Sequence, residues 1–380
     1  MIKNTIITTV CLIIIFCFVN QNTYCDNNEK VGNYPEEFIP VTGSNYIDYK
    51  YFNNYIWAIA ANGKLIAWDM NGNILETNKY NLQGLSSIQI DSDGGIFIGS
   101  IEGVIQKYDK KEDKFKHLKS LQSEIYSINK IKANKIYAIT KNGIHDINHG
   151  KLYSFPKSLN SQKNENNKSI NSVFIDKRPS TILQDSNNNI WIGYNYGEWG
   201  GDIYIFSTTE NRYKKIIFNT PKIISKALKF PIIDILPVQS IFESEDNSVF
   251  MTSGLTHFGH SGSILKFVEK KGKYIGNFLL STMLQTKNKE GMIGPGTYNK
   301  FNKKVFFFSN NGFRYMENIN NIDSMKTYYR PNIDWGGCTN NSCFKTGVTK
   351  FEFINKDLLL FLTRKNGIGI FDGNQTKYYK

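Results

Sequence analysis

Two histidines and a carboxylate stand in glycine-rich stretches where chemistry is possible. His257 and His260, in "THFGHSG", have the H-x-x-H spacing that brings two imidazoles within reach of one metal ion. A catalytic zinc site needs a third ligand, for which Glu198 in "YNYGEWGG" is a candidate. Glu198 could also pair with Asp202 for acid–base work on a glycoside. Neither arrangement has a further motif to support it, so we predict no metal, no cofactor and no assigned catalytic residue.

Aromatic side chains accompany these groups in the same kind of stretch. Aromatic surfaces with adaptable polar neighbours suit the binding of a protein, a peptide or a glycan. The alternative is that the aromatic rings only pack loops onto the fold. The residues predicted to contact a ligand are Tyr194, Tyr196, Glu198, Trp199, His257, His260, Tyr298 and Trp335.

The elements that must position these residues repeat seven times along the chain. Each copy has a polar turn, then a strand with a central aromatic, and in six copies a glycine six residues further on. The central aromatics are Trp57, Phe97, Tyr137, Trp191, Phe250, Phe306 and Phe361. An alternating strand precedes most copies, and a third strand and usually a fourth follow. Asn-Gly between apolar strands predicts hairpins, so each copy is expected to be a four-stranded antiparallel meander.

The repeat spacing predicts the fold. Successive aromatics lie 40, 40, 54, 59, 56 and 55 residues apart, a period typical of propeller blades. We therefore predict an all-β fold, a single seven-bladed β-propeller over 44–380, in which the aromatics pack between blades. The expected blades are 44–80, 85–118, 124–156, 180–217, 238–275, 291–328 and 347–380. Either "TKYYK" completes the seventh blade by itself, or residues 36–42 pair with it to close the ring.

Two copies support a more specific comparison. "DSDGGIFIGS" and "DSNNNIWIGY" resemble the repeat of two-component-regulator propellers, roughly D-x-x-G-x-[IL]-W-[IV]-G-T. The resemblance is good over 91–109 and 185–206 and looser in the other blades. It implies a propeller, often the periplasmic sensor part of a transmembrane kinase. No kinase, DNA-binding part or span follows here, so the resemblance indicates the fold and transfers no catalytic residues.

Extra residues are concentrated in the last four blades. Two insertions separate second and third strands, "YNYGEWGG" and "SGLTHFGHSG", and four others separate blades, at 156–180, 219–237, about 275–298 and 318–347. In a meander blade both kinds of connection lie at the same end of the disc. Long loops on a rigid scaffold are commonly functional. The sequence thus predicts a built-up face on blades 4–7.

The amino terminus indicates export. Lys3 precedes the apolar stretch 6–19, which has the length of a signal-peptide core and is too short to span a membrane. Cleavage before Asp26 would leave 26–43 as a lead-in; a lipoprotein anchored through Cys25 is the rival interpretation. The mature chain would keep Cys338 and Cys343, for which we predict a disulfide in an oxidising compartment.

Charge excludes one class of partner. The formal net charge is +13, but only five of the 46 basic residues are arginine and the lysines are scattered through turns. Nucleic-acid readout prefers arginine, so we predict no nucleic acid. The expected function is that of a monomeric, secreted or periplasmic binding module with no membrane span in the mature chain. The alternatives are a carbohydrate-active hydrolase or lyase and an immunity-type protein that neutralises a toxin.

Overall fold

A computed structural model shows how the chain folds over most of its length. It describes residues 34–91, 93–131, 135–156, 178–197, 200–219, 237–256, 260–282, 291–318, 324–333 and 347–380. In these ranges the chain is almost entirely β-strand, with one short 3₁₀ helix at Thr77–Tyr80. The predicted signal peptide and the two cysteines of the predicted disulfide lie outside them.

The strands form seven separate sheets, one for each predicted blade. Blades 1 to 3 comprise β2 (Tyr46–Phe52), β3 (Tyr55–Ala60) and β4 (Leu65–Asp69); β5 (Leu85–Ile90), β6 (Ile96–Ser100), β7 (Val104–Asp109) and β8 (Lys114–Ser120); β9 (Ile125–Ile131), β10 (Lys135–Thr140), β11 (Gly143–Asp146) and β12 (Lys151–Ser154). Blades 4 and 5 comprise β13 (Thr181–Gln184), β14 (Asn189–Gly193), β15 (Ile203–Ser207) and β16 (Arg212–Tyr213); β18 (Val238–Glu243), β19 (Val249–Thr256), β20 (His260–Lys270) and β21 (Lys273–Ser281). Blades 6 and 7 comprise β22 (Ile293–Asn299), β23 (Lys304–Ser309), β24 (Gly312–Met316) and β25 (Met325–Tyr329); β26 (Val348–Phe353), β27 (Leu359–Thr363), β28 (Ile368–Phe371) and β29 (Thr376–Tyr379).

Antiparallel pairing of sequential strands confirms the seven-bladed propeller. Six blades have the expected four antiparallel strands, and blade 1 has three plus an isolated bridge between Trp68 and Ile74. In the described residues, the first strands of neighbouring blades lie against one another at most of the junctions between blades, which places the first strands innermost around the axis of the disc. Left-handed asparagines allow tight turns between first and second strands, as at Asn188 (φ 61°) and Asn247 (φ 59°).

The central aromatics pack between blades, as predicted. Trp191, for example, is fully buried against blade 5, where its ring lies 4.8 Å from that of Tyr274. Trp57 is only partly buried. Phe361 differs in direction: it packs back onto blade 6, while Leu360 and Leu362 face blade 1. Because side chains alternate along a strand, a shift of one position exchanges the two faces.

Two blades carry a fifth, parallel strand at their outer edge. In blade 7, β1 (Glu36–Ile39) pairs with β29, which is itself antiparallel to β28, so the carboxy-terminal strand completes the blade and the amino-terminal segment also joins it. The backbone of Lys380 accepts from Val41 N (2.6 Å) and donates to Ile39 O (3.1 Å). In blade 5, β17 (Lys215–Asn219) pairs with β21 in the same parallel manner. Backbone hydrogen bonds therefore join the two ends of the ring.

The structure changes the position of several predicted insertions. Residues 325–329 form the fourth strand of blade 6, so only part of 318–347 lies between blades. Most of 275–298 belongs to β21 and β22. Much of "SGLTHFGHSG" extends the β19–β20 ladder as far as the pair Thr256–His260, so this insertion is a long hairpin rather than an irregular loop. The sequence pattern missed these strands because their apolar alternation is weak.

Candidate functional site

The strand directions define two ends of the disc. The turns from second to third strands and the links between blades lie at one end, which we call the loop face. The turns from first to second and from third to fourth strands lie at the other end, the turn face. Blade 4 reaches the loop face at Gly193 and returns at Ile203, whereas the corresponding turn of blade 3 joins Thr140 directly to Gly143. The loop face is therefore built up on blade 4, as the sequence predicts.

The blade 4 turn contains two of the predicted contact residues, and both are buried. Tyr194 is 5% exposed and Tyr196 is 8% exposed. Their rings, 5.9 Å apart, join the core between blades 3 and 4, and the Tyr196 hydroxyl donates to Asp202 Oδ2 (3.2 Å). Burial is the main cause that raises the pKa of both phenols. Both tyrosines thus hold the turn on the disc and offer little surface to a ligand.

Backbone hydrogen bonds make this turn an ordered projection. Tyr194 N donates to Asp202 O (2.8 Å), and Tyr196 N donates to Gly200 O (2.8 Å). These bonds bring the chain back at Gly200 after Gly197, which has φ 69°. Glu198 and Trp199 come between those two glycines in sequence and lie outside the described residues. Backbone hydrogen bonds therefore fix the base of the turn up to the residues next to these two predicted contacts.

The blade 5 hairpin lies against the first strand of blade 6. Gly254 and Gly262 form a cross-strand pair, and a Cβ at either would lie 1.9 Å or 2.4 Å from the backbone of Ile293. Glycine is required at both positions because the hairpin and β22 approach so closely. Gln239 Nε2 donates to Gly254 O (2.7 Å), and Thr282 Oγ1 accepts from Gly262 N (2.8 Å). The hairpin therefore extends inward, towards the axis of the disc.

The remaining predicted contacts do not all share one end of the disc. His260 begins β20 opposite Thr256, at the loop-face end of the hairpin, and His257 lies outside the described residues. Tyr298 is at the far end of β22 and pairs with Val305, so it belongs to the turn face. Trp335 also lies outside the described residues. Tyr298 and His260 therefore lie at opposite ends of the disc.

A group of charged side chains at the axis was not anticipated from the sequence. Lys350 of β26 forms an ion pair with Asp48 of β2 at 2.8 Å and donates to Tyr49 O at 2.8 Å. These side chains are on innermost strands, yet Asp48 is 24% exposed and Lys350 is 36% exposed. Water therefore reaches both side chains, and we call the space that the first strands enclose around the axis the central channel. The alternating charges of "IDYK" and "TKFEF" were the available signal, but they read equally well as exposed strand faces.

The ion pair sets the charge states in the channel. Burial acts to raise the pKa of Asp48, but the positive charges of Lys350, Lys50 and Arg178 outweigh it and lower that pKa. Burial acts to lower the pKa of Lys350, but Asp48 and Glu352 raise it overall. Both groups are thus held in their charged forms at neutral pH.

Arg178 connects three blades at the loop-face end of the channel. It precedes β13 of blade 4, and its Nη1 donates to Glu124 Oε1 (3.2 Å). Its Nη2 donates to the carbonyls of Ser86 in blade 2 and, at 3.3 Å, Tyr126 in blade 3. The guanidinium also lies over the Tyr126 ring, 5.7 Å from its centroid. Arg178 therefore fixes the mouth of the channel where blades 2 to 4 meet.

The described residues suggest neither a metal centre nor a membrane helix. No three His, Cys, Asp or Glu side chains converge in a metal-binding arrangement within these ranges. No helix in the same part of the chain is long and apolar enough to cross a bilayer.

Comparison with known proteins supports the fold alone. No protein-family model matches the chain, and no curated protein matches it. The computationally designed protein Ika8 is 12% identical, with a TM-score of 0.51 over 90% of this chain and 88% of that one. The extracellular domain of the hybrid two-component system BT3049 from B. thetaiotaomicron is 16% identical, with a TM-score of 0.52 over 87% of this chain and 39% of that one. YCF48 bound to D1 peptide is 9% identical, with a TM-score of 0.50 over 89% and 93%.

Proposed function

We propose that the protein is a secreted or periplasmic binding module that binds a protein or peptide through the loop face of blades 4–7. One observation carries this proposal: the ordered projections of blades 4 and 5 and the charged channel mouth lie at the same end of a rigid disc. The described bases of the two projections are anchored by buried tyrosines and by close glycine packing. Preorganised loops of this kind lose less conformational entropy on binding.

The comparisons are compatible with this proposal. One similar structure is described as bound to a peptide, and another as an extracellular domain. At 9% and 16% identity neither transfers its partner to this chain. The signal-peptide pattern at 1–25 supplies the argument for secretion, and a glycan is the alternative ligand class. The absence of a paired carboxylate or nucleophile motif favours binding over catalysis.

The test compares the two ends of the disc. Full-length protein is used to capture partners from the envelope fraction of its own source, and the bound proteins are quantified by mass spectrometry. The loop-face variant combines Trp199→Ala, His257→Ala and Trp335→Ala. The turn-face control combines Lys111→Ala, Phe301→Ala and Asp357→Ala, three exposed or half-exposed positions at the opposite end.

We expect the loop-face variant to capture at least about tenfold less partner than the wild type, because aromatic anchors commonly dominate a binding interface. The control variant should retain capture. Circular dichroism and thermal melting of all three proteins should coincide. Equal capture by the wild type and the loop-face variant, with both folded, would show that another surface binds the partner.

A further inference from the structure

The channel contains a second pair of opposite charges one step below the first. The first strands of all blades run from the loop face to the turn face, so β2 and β26 run in the same direction. The ion pair between Asp48 and Lys350 sets their alignment. Lys50 and Glu352 follow two residues later on each strand, roughly 7 Å deeper. The lower level thus repeats the upper one with the charges exchanged between strands.

The lower pair of charges does not close as the upper one does. In the described part of the chain, neither Lys50 nor Glu352 has an oppositely charged group within ion-pair distance, although each is only partly exposed. Burial and the neighbouring Lys350 lower the pKa of Lys50, while Asp48 and Glu352 act in the opposite direction. Glu352 lies beside the Tyr49 hydroxyl and, after burial, is the largest cause that raises the pKa of that phenol.

Such an arrangement selects for a ligand with both signs of charge. A partly buried charge without an oppositely charged partner is costly, so a group of opposite charge that pairs with it stabilises the site. A simple anion next to Lys50 would meet Glu352 and Asp48, and a simple cation next to Glu352 would meet Lys50 and Lys350. A small zwitterion avoids both repulsions, because it presents a carboxylate to one strand and an ammonium to the other. Charge-assisted hydrogen bonds at both ends would fix its orientation.

We propose that the central channel between blades 1 and 7 binds a free α-amino acid, with its carboxylate against Lys50 and its ammonium against Glu352. This site is separate from the loop-face contacts and adds a small-molecule ligand to the proposed function. Asp48 and Lys350 above it, and Lys50 and Glu352 themselves, are each partly exposed, so water reaches the side chains of both levels.

Isothermal titration calorimetry on the full chain tests this site. The probes are glycine, L-alanine, L-glutamate and L-lysine, with acetate and methylammonium as single-charge controls at the same ionic strength. We expect saturable binding of at least one amino acid and none of acetate or methylammonium at equal concentration. No saturable heat with any of the four amino acids overturns the proposal, as does equal binding of the single-charge probes.

Variants identify the two groups. Lys50→Met and Glu352→Gln should each weaken amino-acid binding by about tenfold or more. Lys64→Met, at an exposed position of blade 1, is the matched control and should leave it unchanged. Should either channel variant fail to fold, the charge exchange Lys50→Glu with Glu352→Lys keeps both charges in place and should retain binding. Amino-acid binding that survives in folded Lys50→Met and Glu352→Gln contradicts the assignment. The loop-face triple variant should bind the amino acid normally, which separates this test from that of the proposed function.

Discussion

The turns between the first and second strands of blades 2 and 4 have the same backbone hydrogen bonds. They differ in the side chains that their aspartates contact. Asp91 Oδ1 accepts from Asp93 N (2.9 Å) and Gly95 N (2.6 Å), and Asp185 Oδ1 accepts from Asn189 N (2.7 Å). Both aspartates therefore close a turn at the start of the second strand. The two blades differ in the partners of the second carboxylate oxygen, Oδ2.

In blade 4 the second oxygen is satisfied from inside the blade. Asp185 Oδ2 accepts from Trp191 Nε1 (2.8 Å) and Asn189 Nδ2 (2.9 Å), and the same Asn189 amide reaches the Tyr274 hydroxyl of blade 5 (2.9 Å). In blade 2 the aromatic is Phe97, which has no donor, and Asp91 forms an ion pair with Lys130 of blade 3 (2.9 Å). One motif thus links adjacent blades in two ways, through a carboxylate that accepts from uncharged donors or through an ion pair. Both turns lie on the turn face, so the motif that resembles a known repeat is a structural device and is remote from the candidate sites.

Among these variants, Asp185→Ala is expected to cause the largest loss of stability. It leaves the buried Trp191 Nε1 and Asn189 N without acceptors, so the free energy of unfolding should fall by about 3–5 kcal/mol. Urea denaturation followed by tryptophan fluorescence measures the change. Asp357→Ala, on an exposed turn, serves as the control and should change the free energy by less than about 0.5 kcal/mol.

Asp91→Ala should cost less, about 2 kcal/mol, because the stranded Lys130 ammonium is 16% exposed and can turn to solvent or to Asp93. The same denaturation measurement applies. An equal loss for Asp91→Ala and Asp185→Ala would mean that the difference between the two networks has no energetic consequence.

Trp191→Phe makes blade 4 resemble blade 2 and should cost about 1–2 kcal/mol through one lost hydrogen bond and a smaller ring. In the double variant with Asp185→Ala, the two losses should be less than additive, because Phe removes the donor that the alanine leaves unsatisfied. Strict additivity would show that the indole and the carboxylate are not coupled.

The smallest effect is a dependence on pH specific to blade 2. Burial acts to raise the pKa of Asp91, but Lys130 and the backbone donors of the turn lower it overall. A lowered folded-state pKa contributes stability above the unfolded value of about 3.9, and that contribution is lost as pH falls through the folded value. The difference in Tm between wild type and Asp91→Asn should therefore be largest near neutral pH and shrink below about pH 4. A difference that stays constant from pH 7 to pH 3 contradicts this assignment.

The regular parts of the structure were predictable because they depend on neighbours in sequence. Polar turns, central aromatics such as Trp191, and Asn-Gly hairpins are local signals, and seven copies leave few alternatives to a propeller. The contacts expected of Tyr194 and Tyr196 were less predictable, since an aromatic in a glycine-rich turn can face solvent or the disc. Here both rings fill the core between blades 3 and 4. Tyr298 is close in sequence to a predicted insertion, but the structure places it at the turn-face end of β22.

The charged residues of the channel show most clearly what could not be predicted from the sequence. Asp48 and Lys350 are 302 residues apart in sequence, and nothing local to either predicts their ion pair. They meet because blade 7 lies beside blade 1 once the ring closes, with β1 held on β29. The sequence by itself determined the strands, the turns and the number of blades, because these follow from side-chain alternation and backbone preference over a few residues. Only the tertiary structure decided which charges face each other across the axis, since ring closure brings together strands from the two ends of the chain.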